Sequence, residues 1–164
     1  VRAQYLPLVI HFILLPFLPQ DPNPGDAPAI DNALGNVMVS EKYMGSPSDI
    51  ANMSLKSPQV QKTWKDWASA CQSHGTPAVV QLCHPGRQSP PGAGQRSFFE
   101  KSIAPSAVAM SFGPSLVEKI VASLLFGTPK EMSVDEIEET VDQFVRAAKQ
   151  CFDAGFKGVE LHAA

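Results

Sequence analysis

Six side chains able to do chemistry fall into two short clusters. The first, QLCHPGR at residues 81–87, holds Gln81, Cys83, His84 and Arg87; the second, GVELH at residues 158–162, holds Glu160 and His162. Each cluster sits on an apolar run. A buried amide such as Gln81 needs a partner, because leaving it unpaired costs about 1–3 kcal/mol. Two partners are open to it: the core itself, or a ligand, since ligand sites gather convergent polar groups where strands end. His162 follows Glu160 by two positions, so on a strand the two share a face while Leu161 points the other way. A histidine there is either a packed structural residue or a donor to a substrate oxygen, stabilising charge as it develops. Glu160 has two matching roles, orienting that ring or a neighbour, or closing an ion pair in the core.

Other chemistries lack their residues. Zinc sites want three or four ligands at recognisable spacing, such as Cys-x-x-Cys. Here Cys71, Cys83 and Cys151 stand far apart, and adjacent Cys83 and His84 are directed away from each other, so no metal site is expected. The same geometry works against a Cys/His nucleophilic pair unless another histidine folds across. Neither Gly-x-Gly-x-x-Gly nor a P-loop occurs, which weakens a Rossmann or nucleoside-triphosphate reading. An odd number of cysteines argues for free thiols and a reducing, cytoplasmic setting. With 13 basic and 16 acidic residues, a net charge of −3 and no basic run, neither a nucleic acid nor an anionic membrane is an expected partner.

The elements that position these clusters are two helix-then-strand units. In the first, Ser57 caps a helix opened by Pro58, whose missing N–H costs nothing there. Val60, Trp64, Trp67 and Cys71 fall on one helical face, Gly75 supplies a stop, and residues 78–82 read as a buried parallel strand. In the second, Ser133 and Glu136 have capping-box spacing, and an apolar stripe runs through Ile137, Val141, Phe144, Ala148 and Phe152. Gly155 ends this helix and residues 158–162 form the next strand. Helices alternating with buried strands imply an α/β fold with ligands at the carboxyl ends of the strands, where both clusters lie. About fifty residues join the first strand to the Ser133 cap, far more than an ordinary βα loop, and such length usually signals function. Within them FFEKSIAPSAVAM is expected to form a hairpin or lid, and residues 112–126 a short helix.

Residues 1–30 are unlike the rest. The run YLPLVIHFILLPFLP is apolar but broken by Pro7, Pro16 and Pro19, too short and too proline-rich to span a membrane. A secretory signal, with Arg2 before the apolar run and small residues in DAPA, is one reading. An irregular leader of separate origin is the other.

Together, GNVMVSEKYMGSPSDI, VVQLCHPGRQSP, IAPS and FGTPKEMSVDEIEETVDQFVRAAKQCFDAGFKGVELHAA resemble the Old Yellow Enzyme family of FMN-dependent NAD(P)H:flavin oxidoreductases, over residues 34–164. The resemblance implies an incomplete (β/α)8 barrel at residues 31–164, with about three of eight strands, their helices and one long βα loop, because a whole barrel takes about 250 residues. It implies FMN as cofactor, NAD(P)H as hydride donor and an enone-like small molecule as acceptor. Gln81 would bond the flavin's pyrimidine edge, and Asn36, beside Gly35, would lie near the flavin. His162 matches the first of the family's two donors to the acceptor oxygen; His84 and Arg87 would shape the pocket wall. The alternative is a non-catalytic remnant of such a barrel, needing its missing half or a partner chain.

Overall fold

The computed structural model describes residues 33–47, 49–51 and 57–162; both readings of the leader fall outside them. In chain order the elements are β1 (Ala33–Met38), α1 (Pro58–Cys71), β2 (Val79–Cys83), a 3-10 turn (Gly86–Gln88), β3 (Ile103–Ala104), α2 (Leu116–Phe126), β4 (Lys130–Glu131), α3 (Val134–Ala154) and β5 (Gly158–His162). The main sheet has the order β1-β2-β5 and is parallel throughout. No helix among the described residues is long and apolar enough to cross a membrane.

Local chemistry starts both crossover helices where the sequence predicts. The Ser57 hydroxyl accepts from the Val60 N–H at 3.5 Å, with Pro58 next to it. At α3 the box closes in both directions. Ser133 Oγ accepts from the Glu136 N–H at 3.2 Å, and Glu136 Oε2 accepts from the Ser133 N–H at 2.9 Å. Lys130 Nζ lies 2.7 Å from Glu136 Oε1, and that contact, then the bond from Ser133, holds this carboxyl below its usual range. At the far end Gly155 takes the left-handed conformation (φ 101°) and its N–H reaches the Cys151 and Phe152 carbonyls, a geometry that costs a glycine little.

Period-two alternation along the strands separates two faces. Val37, Val80 and Leu82 are fully buried against Trp64 and Ala68 of α1 and Ala147 and Cys151 of α3. An edge-to-face cluster of Trp64, Trp67 and Phe156, with ring centroids 5.2–6.2 Å apart, fills the base of this layer. Gln72 fastens it. Its Nε2 donates to the Ala68 and Gly155 carbonyls at 2.9 and 3.0 Å, and its Oε1 accepts from the Ala78 N–H at 3.4 Å. One side chain thereby ties the end of α1, the end of α3 and the entry to β2.

Three expectations are corrected. The strand predicted at residues 78–82 runs one residue later, Val79–Cys83; at its entry the Ala78 carbonyl accepts from the Lys157 N–H and the Ala78 N–H donates to Gln72. The α3 stripe is buried only in part: Ile137, Val141 and Phe152 are 45%, 56% and 60% exposed. The face that meets the sheet is turned toward Ala147 and Cys151, where small side chains allow close approach. Of its two expected forms, hairpin or lid over a site, the FFEKSIAPSAVAM segment lacks the hairpin. Its strand, β3, pairs in parallel with β4 on the other side of α2, with the Ser102 and Ala104 carbonyls accepting from Lys130 and Met132 at 2.7 and 3.0 Å. The short helix expected in residues 112–126 is present as α2.

Candidate active site

The second face of the sheet carries the chemistry. Met38, Cys83 and His162 are register partners across the carboxyl ends of β1, β2 and β5. Two residues earlier on the same face, Gln81 and Glu160 are partners, and Gln81 Nε2 donates to Glu160 Oε1 at 3.2 Å. Both are half-buried. Of the two roles open to Glu160, the hydrogen bond goes to a neighbour, Gln81.

Above this row lies a cleft of about 310 Å³. Its floor is Met38, Cys83 and His162; one wall is the turn His84, Pro85 and Gln88, and another is formed by Met110 and Phe126. The volume is at the lower end for small-molecule sites. A cleft of about 390 Å³ between α1 and α3 is larger. It opens on the helical side, away from the strand ends where α/β folds place their ligands.

The turn after β2 is fixed by unusual bonding. The Gly86 N–H donates to His84 Nδ1 at 3.2 Å, so the neutral ring carries its proton on Nε2. Burial pushes the His84 pKa down to about 4, which keeps the imidazole uncharged at neutral pH. Its Nε2 is buried without a hydrogen-bond partner among the described residues, and the ring leans against Tyr43 at 5.6 Å. Desolvation, and then the nearby Asp49 charge, raises the Cys83 thiol pKa. The Asp49 carboxylate accepts from the Gly45 and Ser46 N–H groups at 2.9 and 2.8 Å, closing the loop at the cleft edge.

The long connection is anchored by a residue that sequence reasoning missed. Arg96, 4% exposed, donates to the carbonyls of Ser89, Pro90 and Glu100. The hydroxyl of Ser89 in turn donates to the Met44 carbonyl at 2.8 Å. At Gly94 (φ 72°) a Cβ would stand 2.5 Å from the Glu41 carbonyl, so the backbones touch only because the side chain is absent. These contacts hold the loop against residues 41–44 and so beside the cleft.

Of the residues singled out from sequence, Gln81, His84 and His162 come together at one end of the sheet. Asn36 lies in β1, two residues before Met38, and its side chain is outside the described residues. Arg87 is exposed in the 3-10 turn and does not line the cleft. Met110 ends the FFEKSIAPSAVAM segment expected as a hairpin or lid and Phe126 ends α2, but nothing local marks either side chain for the cleft, and long-range folding brings them there. Among the described residues no group of three or more His, Cys, Asp or Glu is placed to hold a metal.

Residues 44–164 match the NADH:flavin oxidoreductase / NADH oxidase family. The chain belongs to this family. Among curated relatives, an NADH-dependent flavin oxidoreductase of Neonectria sp. is 52% identical over 79% of this chain and 17% of its own length. One from Talaromyces variabilis is 47% identical over 79% of this chain and 31% of its own. Morphinone reductase in complex with tetrahydroNAD superposes with a TM-score of 0.63 at 23% identity, covering 79% of this chain and 35% of that one. The Old Yellow Enzyme homologue from Zymomonas mobilis gives 0.59 at 25%, covering 78% and 33%. The three strands with α1 and α3 are thus part of an Old Yellow Enzyme barrel, and the chain spans about a third or less of the proteins it matches.

Proposed function

We propose that this chain contributes the acceptor-orienting part of an FMN-dependent oxidoreductase that passes hydride from NAD(P)H, through flavin, to an activated alkene or similar acceptor. One observation carries this reading: Gln81 and His162 share the open face of neighbouring strands, with His162 on the floor of the cleft. The residues present suit a flavin. Met38, Cys83, Met110 and Phe126 offer apolar contact for a flat ring system, and the Gln81 amide offers a donor and an acceptor for a pyrimidine edge. Bound there, the flavin would supply the two-electron hydride chemistry. His162 would donate a hydrogen bond to the acceptor's carbonyl oxygen and stabilise the charge gathering on it as the alkene is reduced. His84, neutral at working pH, adds no cation beside the cofactor.

A second reading, that these elements are catalytically silent until further strands extend the sheet, is favoured by the apolar surface of α2. Leu116, Val117 and Leu124 are 70–78% exposed, apolar surface of the kind that marks an interface.

The test is to incubate the purified chain with FMN, remove unbound cofactor and record the visible spectrum. Retained flavin, with His162→Ala keeping the flavin but losing enone reduction, supports the first reading. A colourless chain supports the second. A version extended to the length of its relatives that still takes up no flavin overturns the first.

A further inference from the structure

The contact between Gln81 and Glu160 joins residues 79 apart in sequence, and only the parallel register of β2 and β5 creates it. Its chemistry is asymmetric. An ionised carboxylate accepts and never donates, whereas a carboxamide has one end of each kind. Turned through half a rotation, Gln81 would set its carbonyl oxygen against the Glu160 carboxylate, two acceptors with no proton between them. The two ends of the amide are nearly equal in size, so packing does not choose between the orientations. Glu160 does.

We propose that Glu160 is a positioning residue that holds the Gln81 carboxamide in one of its two orientations. The amide then presents a fixed pattern of one carbonyl oxygen and one remaining N–H to whatever lies against this face. For a cofactor, the consequence rests on the flavin reading above. The pyrimidine edge of an isoalloxazine alternates carbonyl, N–H and carbonyl, so a carboxamide matches it only with its oxygen opposite the ring N–H and its own N–H opposite a ring carbonyl. Fixing the amide therefore fixes which ring carbonyl receives the donor. Glu160 would act on the flavin through Gln81, without touching it.

Heteronuclear amide NMR of the full chain tests this directly, with the Gln81 side-chain signals assigned by their loss in Gln81→Ala. In the native chain the proton bonded to the carboxylate should lie downfield of those of exposed glutamines and exchange more slowly with water. Glu160→Gln keeps the shape but can donate as well as accept, so the signal should return toward exposed values or split into two orientations. Glu160→Asp keeps an acceptor-only group with a shorter reach and should fall between. In the same samples an FMN titration should show about twofold weaker binding for Glu160→Gln, because two equally populated orientations leave half of the amides competent. Adding Glu160→Gln to Gln81→Ala should bring no further loss, as expected of a residue acting through another. A Gln81 signal unmoved by Glu160→Gln overturns the proposal, and so does an additive double variant. If the native chain binds no FMN, the catalytically silent reading above gains support, and the amide signal still decides whether Glu160 orients Gln81.

Discussion

The two faces of the parallel sheet are built from alternate residues of the same strands and do opposite things. On one, Val37, Val80 and Leu82 are fully buried beneath α1 and α3. On the other, Met38 and Cys83 are buried but Gln81 and Glu160 only half so, and His162 is exposed. The packed face gains its stability from apolar area removed from water, roughly 25 cal/mol per Å². The open face keeps polar groups whose bonding is incomplete, as a site for ligands requires. Stability and chemistry are therefore separable by a shift of one residue along β2. Leu82 belongs to the first and Gln81 to the second.

Substitutions along that division should have graded effects. Leu82→Ala should cost about 4 kcal/mol, in the upper part of the range for a leucine with no exposed surface, seen as a lower urea midpoint. A loss under about 1 kcal/mol would mean the helical side is not the folded core. Acid should act next, through the turn that leads from β2 into the cleft. The folded His84 pKa of about 4 lies below the unfolded value near 6.5, so as pH falls the unfolded chain takes up the proton first. Stability is then full above about pH 6.5 and declines toward pH 4, by up to roughly 3 kcal/mol. Urea midpoints across that window should flatten in His84→Gln. If the native slope persists in the variant, other groups cause it.

Smaller effects follow at the edges. Ser133→Ala removes the hydroxyl half of the α3 box and should cost about 1 kcal/mol, measured as a fall in Tm. Gln81→Leu should change stability by less than about 1 kcal/mol, because water can satisfy the half-exposed Glu160 it leaves behind. The same variant should lose flavin retention in the spectral assay. A large destabilisation by Gln81→Leu would assign the amide to the core and erase the contrast between the faces.

The amino-acid sequence by itself determined the parts of this molecule that local chemistry dictates. Ser57 with Pro58, Ser133 with Glu136, and Gly155 mark helix ends through bonds within a few residues of each other, so they read correctly without any fold. The strand at 158–162 and the likeness of the QLCHPGR and GVELH segments to a flavin-dependent family were legible for the same reason. Tertiary structure decided what depends on contacts between distant residues. The register of β2 against β5 chose Gln81 as the partner of Glu160, and the paths of β3 and α2 brought Met110 and Phe126 to the cleft. The depth of Arg96 and the exposure of Ile137 and Val141 also follow from which surfaces meet, which no local periodicity encodes. A cap is a bond between neighbours in sequence. A cleft is an arrangement of residues that only the folded chain makes neighbours.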